Sequence, residues 1–509
     1  MRLMFGLVLL LGCTPEVTVN SPPVVSEPAM GFKSDRSLIR VHMSAPGDGN
    51  TSTTTGMMKG HANWRVNGGS TTEVDKPITD RDPVHSFVFS AIVPAGSNAL
   101  ELGRCDDLDK CGYTSVNVTV TPVSGSPDPS FAGAGQLIDS KFGRAEGVAV
   151  LPDGRILIAA EANAAPFKMG LIMFKADGTK DRTWGVNGVT SLTAADLHAF
   201  MLPRPTGGVL VIFARRDRTY VARFDAMGTL DTAFADSAQG GEVRGFPWGA
   251  PGAGSILDAR VDDAGHVVVA GQIARVPFVQ SLDFDLQSLS YGELGPAGTN
   301  VVAASLDKNG RAAFLLEDRI TRGTTAGVDA TFGQVDLPAD TSGVGAVALR
   351  ADGSVVSVRK SASAMHVAWA SPTGALLEFD VPSDGPAPSI GDWPVMLQDG
   401  AMGVYLATSG LQAADPVRAW KSGTEPGSNF VVHRLNAGAL DASFGRAWAS
   451  FALSWAPVST DSLLDTPAAL AIDAQGKPIV VGGSSTVASA TADLYTKRGP
   501  GLAVVRILP

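Results

Sequence analysis

Three cysteines in 509 residues are too few for cross-links to hold this chain together, so its stability must come from packing and hydrogen bonds. Basic clusters are also missing. Lys and Arg number 40 against 50 Asp and Glu, and the formal charge of −10 is spread thinly, which excludes a nucleic-acid partner. The seven histidines (His42, His61, His85, His198, His266, His366 and His433) show neither HxH nor HExxH spacing, so no metal is expected. No G-x-S-x-G elbow occurs. Gly249-Ala-Pro-Gly252-Ala-Gly254 lacks both the P-loop lysine and the third Rossmann glycine, and reads as a loop. No cofactor is expected. What is abundant is apolar residues, at 44% with 18% charged, and 58 glycines. That mixture describes a folded chain of many short strands and turns, too long for one ordinary core.

The chain is organised around a repeated sentence. Asp128-Pro-Ser-Phe131 precedes Val148-Ala-Val-Leu-Pro-Asp-Gly-Arg-Ile-Leu-Ile-Ala159, which reads as strand, tight turn and strand. Further turns occur at Pro205-Thr-Gly-Gly208, Asp262-Asp-Ala-Gly265, Asp307-Lys-Asn-Gly310, Ala351-Asp-Gly353, Gln398-Asp-Gly400 and Asp473-Ala-Gln-Gly476. The intervals between their glycines run from 43 to 57 residues, with a last step of 76 that an insertion near Ser409–Ser428 explains. A second motif keeps the same beat: Asp128-Pro-Ser-Phe131, Asp181-Arg-Thr-Trp184, Asp231-Thr-Ala-Phe234, Asp329-Ala-Thr-Phe332 and Asp441-Ala-Ser-Phe444. Its Asp is expected to bond nearby backbone and its aromatic to pack between sheets. Two decayed copies fall near Leu289-Ser-Tyr291 and Leu377-Glu-Phe379.

This wording, LDxxFG followed by xxDGxI/VxVxG, resembles the bacterial delta-60 repeat, best in Leu440-Asp-Ala-Ser-Phe-Gly445 and Leu151-Pro-Asp-Gly-Arg-Ile-Leu-Ile158. The resemblance covers roughly residues 128–509 and implies a β-propeller with no assigned chemistry. Spacing gives each unit about four strands, which is one propeller blade. The last unit ends on a third strand, Gly501–Pro509, and the surplus segment Gly135–Asp139 at the start of the array can supply the fourth. The expectation is a ring of seven blades closed by that strand, with six or eight open if a degenerate unit is miscounted.

Ahead of the array, the first residues are one cation and an apolar run too short to cross a bilayer, an export signal over 1–12. Leu10-Leu11-Gly12-Cys13 resembles a bacterial lipobox, which implies acylation of Cys13 and a membrane partner through the acyl anchor. Thr14 in place of Asp favours the outer membrane by the same resemblance. A plain secretory signal with an incidental cysteine is the other reading. Residues 13–30 read as a proline-rich tether, and 31–122 as period-2 strands resembling an immunoglobulin-like β-sandwich with Trp64 in its core. Val123–Pro127 reads as a linker.

An exported chain meets an oxidising compartment, so Cys105 and Cys111 are expected to form a disulfide. The acidic loop between them also admits calcium, although its spacing is not that of an EF-hand. The full expectation is an all-β monomer of the cell envelope: a seven-bladed β-propeller of four-stranded blades behind an N-terminal immunoglobulin-like β-sandwich.

Departures from a repeat mark additions. Two long connections fall between the second and third strands of the last two units. They carry Arg418, Trp420 and Lys421 in the first and Tyr495, Lys497 and Arg498 in the second. Basic and aromatic groups together on an acidic protein suit a protein or glycan partner. A binding protein is the first expectation, a structural spacer the second, and a carbohydrate-active hydrolase or lyase using the propeller channel the third.

Overall fold

A computed structural model describes residues 24–28, 32–34, 38–46, 61–74, 84–105, 111–133, 135–139, 141–162, 169–193, 198–214, 219–237, 240–246, 254–295, 300–338, 345–360, 364–382, 395–411, 428–444, 447–449, 462–487 and 501–509. They are all but entirely strand, turn and loop, with no α-helix among them. The chain divides into two compact units, the first largely ending at Thr119 and the second running from Val120 to Pro509.

The first unit is two sheets. One orders Val24–Glu27, Leu38–Pro46 and Val84–Ile92; the other orders Phe32–Ser34, Cys111–Val120, Gly96–Cys105, His61–Val66 and Thr72–Val74. Alternation decides which side chains go inside: Val41 and Met43, Leu100 and Leu102, and Val116, Val118 and Val120 are buried at every second position. Two expectations change. Val24–Glu27, read as tether, is a strand paired to Leu38–Pro46, because its two valines can add to that edge. Trp64 is half-buried rather than core, lying opposite Thr72 and Leu102.

The second unit repeats one antiparallel sheet. Phe142–Val150, Ile156–Ala162, Met169–Phe174 and Val189–Leu192 form the first. Four more follow in the same order, beginning at Ala199–Pro203, Gly254–Val261, Val301–Leu306 and Gly345–Leu349. The remaining strands join in a nine-stranded sheet, whose halves start at Val395–Gly400 and Ser462–Ile472 and meet at a single parallel pair, Ser428 with Leu464.

Side chains of one strand feed two layers. In Val209–Ala214, Val209, Val211 and Phe213 pack towards the sheet before, while Leu210 and Ile212 pack towards the sheet after. The layers continue between successive sheets to the last, where Val481 and Val504 meet Phe142 and Ile158 of the first. The stack therefore closes on itself. At the closure, Gln136–Asp139 lies antiparallel to Gly501–Arg506, with Ile138 opposite Ala503. Val123–Pro127 is no free linker. Gly125 N donates to Leu508 O (2.9 Å), Leu508 N returns to Ser126 O (2.9 Å), and Pro127 bridges Ile507.

The turns explain the glycines. In Leu151–Arg155 the Gly154 amide donates to Leu151 O and the Leu151 amide to Arg155 O, a turn whose fourth residue must be left-handed; Gly154 has φ 84°. Gln398-Asp-Gly400 does not follow this pattern. Its strand runs on to Gly400, which pairs with Gly403, so the turn is Ala401-Met402.

The Asp-x-x-aromatic motif is a buried joint. Asp441 Oδ1 accepts the Ser443 amide and hydroxyl (2.9 and 2.6 Å), while Oδ2 accepts Arg434 Nε (2.7 Å). Arg434 in turn lies 4.9 Å over the buried Phe444 ring. Arg322 with Asp329 and Phe332, Arg223 with Asp231 and Phe234, and Arg506 with Asp128 and Phe131 repeat the arrangement. In the first sheet Met173 holds the arginine's place and Arg155 reaches Asp181 instead (3.3 Å). Trp184 is 2% exposed, so Trp184→Ala is expected to destabilise the unit by about 3–5 kcal/mol; urea unfolding followed by circular dichroism measures it.

The two decayed copies are absent altogether. A five-residue turn, Asp283–Gln287 or Ser371–Ala375, leads straight into the fourth strand. Tyr291 is exposed there and stacks on Phe278 at 5.8 Å, and Leu377 is exposed. Phe379 alone is half-buried against the next layer.

Candidate functional site

The first strands of successive sheets, with that of the last half touching Phe142–Val150, surround a cavity of about 1510 Å3. They run the same way. Their Asp-Gly turns touch at one end, where Asp263 N donates to Lys308 O (2.7 Å) and Arg311 Nη2 to Ala351 O (3.1 Å). Their leading ends meet at the other, where Gly147 is so close to the Ala199 carbonyl that a Cβ would collide with it.

Bulges shape the wall. Register slips at 142–147, 256–258, 301–303 and 467–469 put extra residues into four of these strands, two in the first and one in each of the others, which re-aims side chains. The slip in Gly254–Val261 places Asp258 so that Oδ1 accepts the Ala259 amide (2.8 Å) and Oδ2 accepts Leu306 N of the next sheet (2.7 Å). Burial raises the Asp258 pKa despite the Arg260 charge and those two amides. The carboxylate thus joins two sheets at the channel wall.

At the leading ends stand Glu146, His198, Ser255, Gln272 and Asn300. Glu146 is buried, with Oε2 3.7 Å from His198 Nδ1. His198 has φ 20°, uncommon for a residue with a Cβ, beside the tight Gly147 approach. The His198 side chain is 66% exposed; the protein around it, then the Arg144 charge, lowers its pKa. Asn300 donates to Glu317 Oε1 (2.8 Å), and the buried Gln272 Oε1 has no hydrogen-bond partner among the described residues.

None of these five residues stood out in the sequence, because a channel is defined by which strands come together. Of the residues that did, Cys13, Arg418, Trp420, Lys421, Tyr495, Lys497 and Arg498 lie outside the described residues. Cys105 and Cys111 end and begin neighbouring strands of one sheet, and only their backbone is described. Among the described residues no three His, Cys, Asp or Glu are grouped to hold a metal ion, and no helix is long and apolar enough to cross a membrane.

No family model matches the chain, and no curated protein matches it. Solved structures that resemble it are β-propeller-like proteins. A quinoprotein alcohol dehydrogenase-like protein of Bacteroides thetaiotaomicron shares 11% identity over 95% of this chain and 96% of its own, with a TM-score of 0.33. A protein of Lactobacillus plantarum shares 12% over 76% and 95%, with a TM-score of 0.36. Regucalcin of Agrobacterium tumefaciens, a calcium-binding protein, shares 14% over 56% and 88%, with a TM-score of 0.32. Superposition this loose carries no functional argument. The fold stands on the strand pairing and on the closed order of layers.

Proposed function

We propose that the protein is a lipid-anchored binding protein of the cell envelope, acylated at Cys13. In this reading the second unit is a seven-bladed delta-60-type β-propeller, the nine-stranded sheet being two blades joined by one parallel pair. The first unit is an immunoglobulin-like sandwich stapled by Cys105–Cys111. One observation carries the binding role. Segments 412–427 and 488–500 connect second to third strands in the two halves of that sheet, leaving Leu411 and Val487 and returning at Ser428 and Gly501. Second-to-third connections emerge at the end away from the Asp-Gly turns, so neighbouring blades would present Arg418, Trp420 and Lys421 beside Tyr495, Lys497 and Arg498. Cations beside aromatics suit an acidic protein or a glycan.

Arg418→Ala with Trp420→Ala is expected to abolish capture of that partner from envelope extract at unchanged thermal stability. Unchanged capture removes the patch. The rival reading, a carbohydrate-active hydrolase, draws support from Glu146 and Asp258 on the channel wall. Asp258, however, is committed to two backbone amides. Hydrolysis of any glycan by the purified protein, lost in Glu146→Gln, would establish it. A spacer role predicts that deleting the array disturbs assembly alone.

A further inference from the structure

We propose that the strand Val84–Ile92 of the first unit is a self-association edge, on which a second copy of this chain pairs antiparallel about a two-fold axis at Val88. The surface is separate from the loop patch and the channel and does not depend on either. Composition and motifs alone led to the expectation of a monomer; this edge makes the chain half of a pair.

An edge strand offers a row of unpaired N–H and C=O groups, and proteins protect it by keeping it short or by placing charge, proline or a bulge on it. Val84–Ile92 ends the sheet order Val24–Glu27, Leu38–Pro46, Val84–Ile92, so among the described residues no strand pairs with its far side. It is nine residues long, about 30 Å of edge. The other edges of the first unit, Val24–Glu27, Phe32–Ser34 and Thr72–Val74, have only three or four residues. It also contains no Asp, Glu, Lys, Arg or Pro. The long outer edges of the second unit are protected. Ser288–Glu293 is bulged at its start. Leu376–Pro382 carries Glu378 and Asp380, which a two-fold about Phe379 would set against each other.

The order of residues names the occupant. Val84-His-Ser-Phe-Val-Phe-Ser-Ala-Ile92 reads nearly the same in both directions about Val88. Laid antiparallel on its own copy in that register, it sets Phe87 opposite Phe89, Ser86 opposite Ser90, Val84 opposite Ile92 and Val88 opposite itself. Aromatic, hydroxyl and β-branched pairs of this kind stabilise an antiparallel ladder, and the two-fold axis uses each off-axis pair twice. His85 falls opposite Ala91, so even its protonation brings no like charges together. On a chain of formal charge −10, an uncharged strand is where two copies meet with least repulsion. Ala91 is buried, and Ser86 and Ser90 fall on the other face of the strand. A pair joined along one strand is a small interface, so the dimer forms reversibly and depends on concentration.

The test is sedimentation equilibrium of the full chain carrying Cys13→Ser, which keeps acylation out, across a wide range of concentration. The apparent mass is expected to double over that range, and backbone hydrogen exchange at 84–92 to slow as it does. In Ser86→Lys/Ser90→Lys, cations oppose each other at both serine pairs, and the dimer should weaken about tenfold at an unchanged melting temperature. Ser86→Lys/Ser90→Glu sets opposite charges at the same places and should dimerise at least as tightly as the parent. A single mass at every concentration overturns the inference, whether the edge stays bare or serves another partner. Equal association of the two double variants overturns it as well, because the contact then lies elsewhere. So does exchange at 84–92 that is already slow in the dilute monomer, since the chain would then cover its own edge.

Discussion

Asp128→Ala is expected to destabilise the closed array by about 3–5 kcal/mol, the cost of leaving a buried charge without its partner. Asp128 Oδ2 accepts both Arg506 Nε (2.9 Å) and Lys477 Nζ (2.7 Å), and Oδ1 accepts the Ser130 amide and hydroxyl. Asp128 and Arg506 are only 3% and 6% exposed, and they belong to opposite ends of the array. Burial works against ionisation of Asp128, but Lys477, Ser130 and Arg506 together outweigh it and hold its pKa below the usual carboxylate value.

The same aspartate elsewhere should matter less. Asp231 pairs with Arg223 at the same joint but is 33% exposed, so Asp231→Ala should cost no more than about 1 kcal/mol. Urea midpoints of the two variants, with limited proteolysis to detect release of residues 123–139, make the comparison. Equal midpoints would mean that the ends are held by strand pairing alone.

His433→Leu is expected to remove most of the protein's loss of stability between neutral pH and about pH 4. His433 is 2% exposed, its Nε2 has no hydrogen-bond partner among the described residues, and burial lowers its pKa to about 4. The unfolded chain takes up a proton near 6.5, where the folded chain does not. Stability therefore falls as pH drops from about 6.5 and levels off below about 4, by roughly 3 kcal/mol in all. The joint aspartates have the same sign in a lower window. Their lowered folded pKa values give stability that is present above the ordinary carboxylate range and lost below it. Urea midpoints at pH 7, 6, 5 and 4 separate the two. A variant with the parent's slope between pH 7 and 5 would place that proton uptake on another group.

The arginine of four of the five joints is readable in the sequence. Val-Ala-Arg223, Ile-Thr-Arg322 and Val-His-Arg434 precede their aspartates by seven or eight residues, and Val-Val-Arg506 occupies the same place in the last sheet. An arginine inside an apolar strand is costly to bury unless an anion meets it, so the beat of Arg and Asp together carried more information than Asp alone. Tyr291 shows the opposite case. An aromatic at the right interval promised a joint, but the short Asp283–Gln287 turn carries the chain directly into an edge strand and leaves the ring outside.

By itself the sequence determined the strand type, the repeat interval, the turns and the complementary ends, because each depends on residues close together in the chain or on a period that only one sheet geometry satisfies. Only the tertiary structure decided that Val123–Pro127 is bound rather than loose, that Asp128 meets Arg506, and that Glu146, His198 and Gln272 share a cavity. Such meetings depend on closing a ring hundreds of residues long, and no local propensity encodes which side chains a closed ring turns inward.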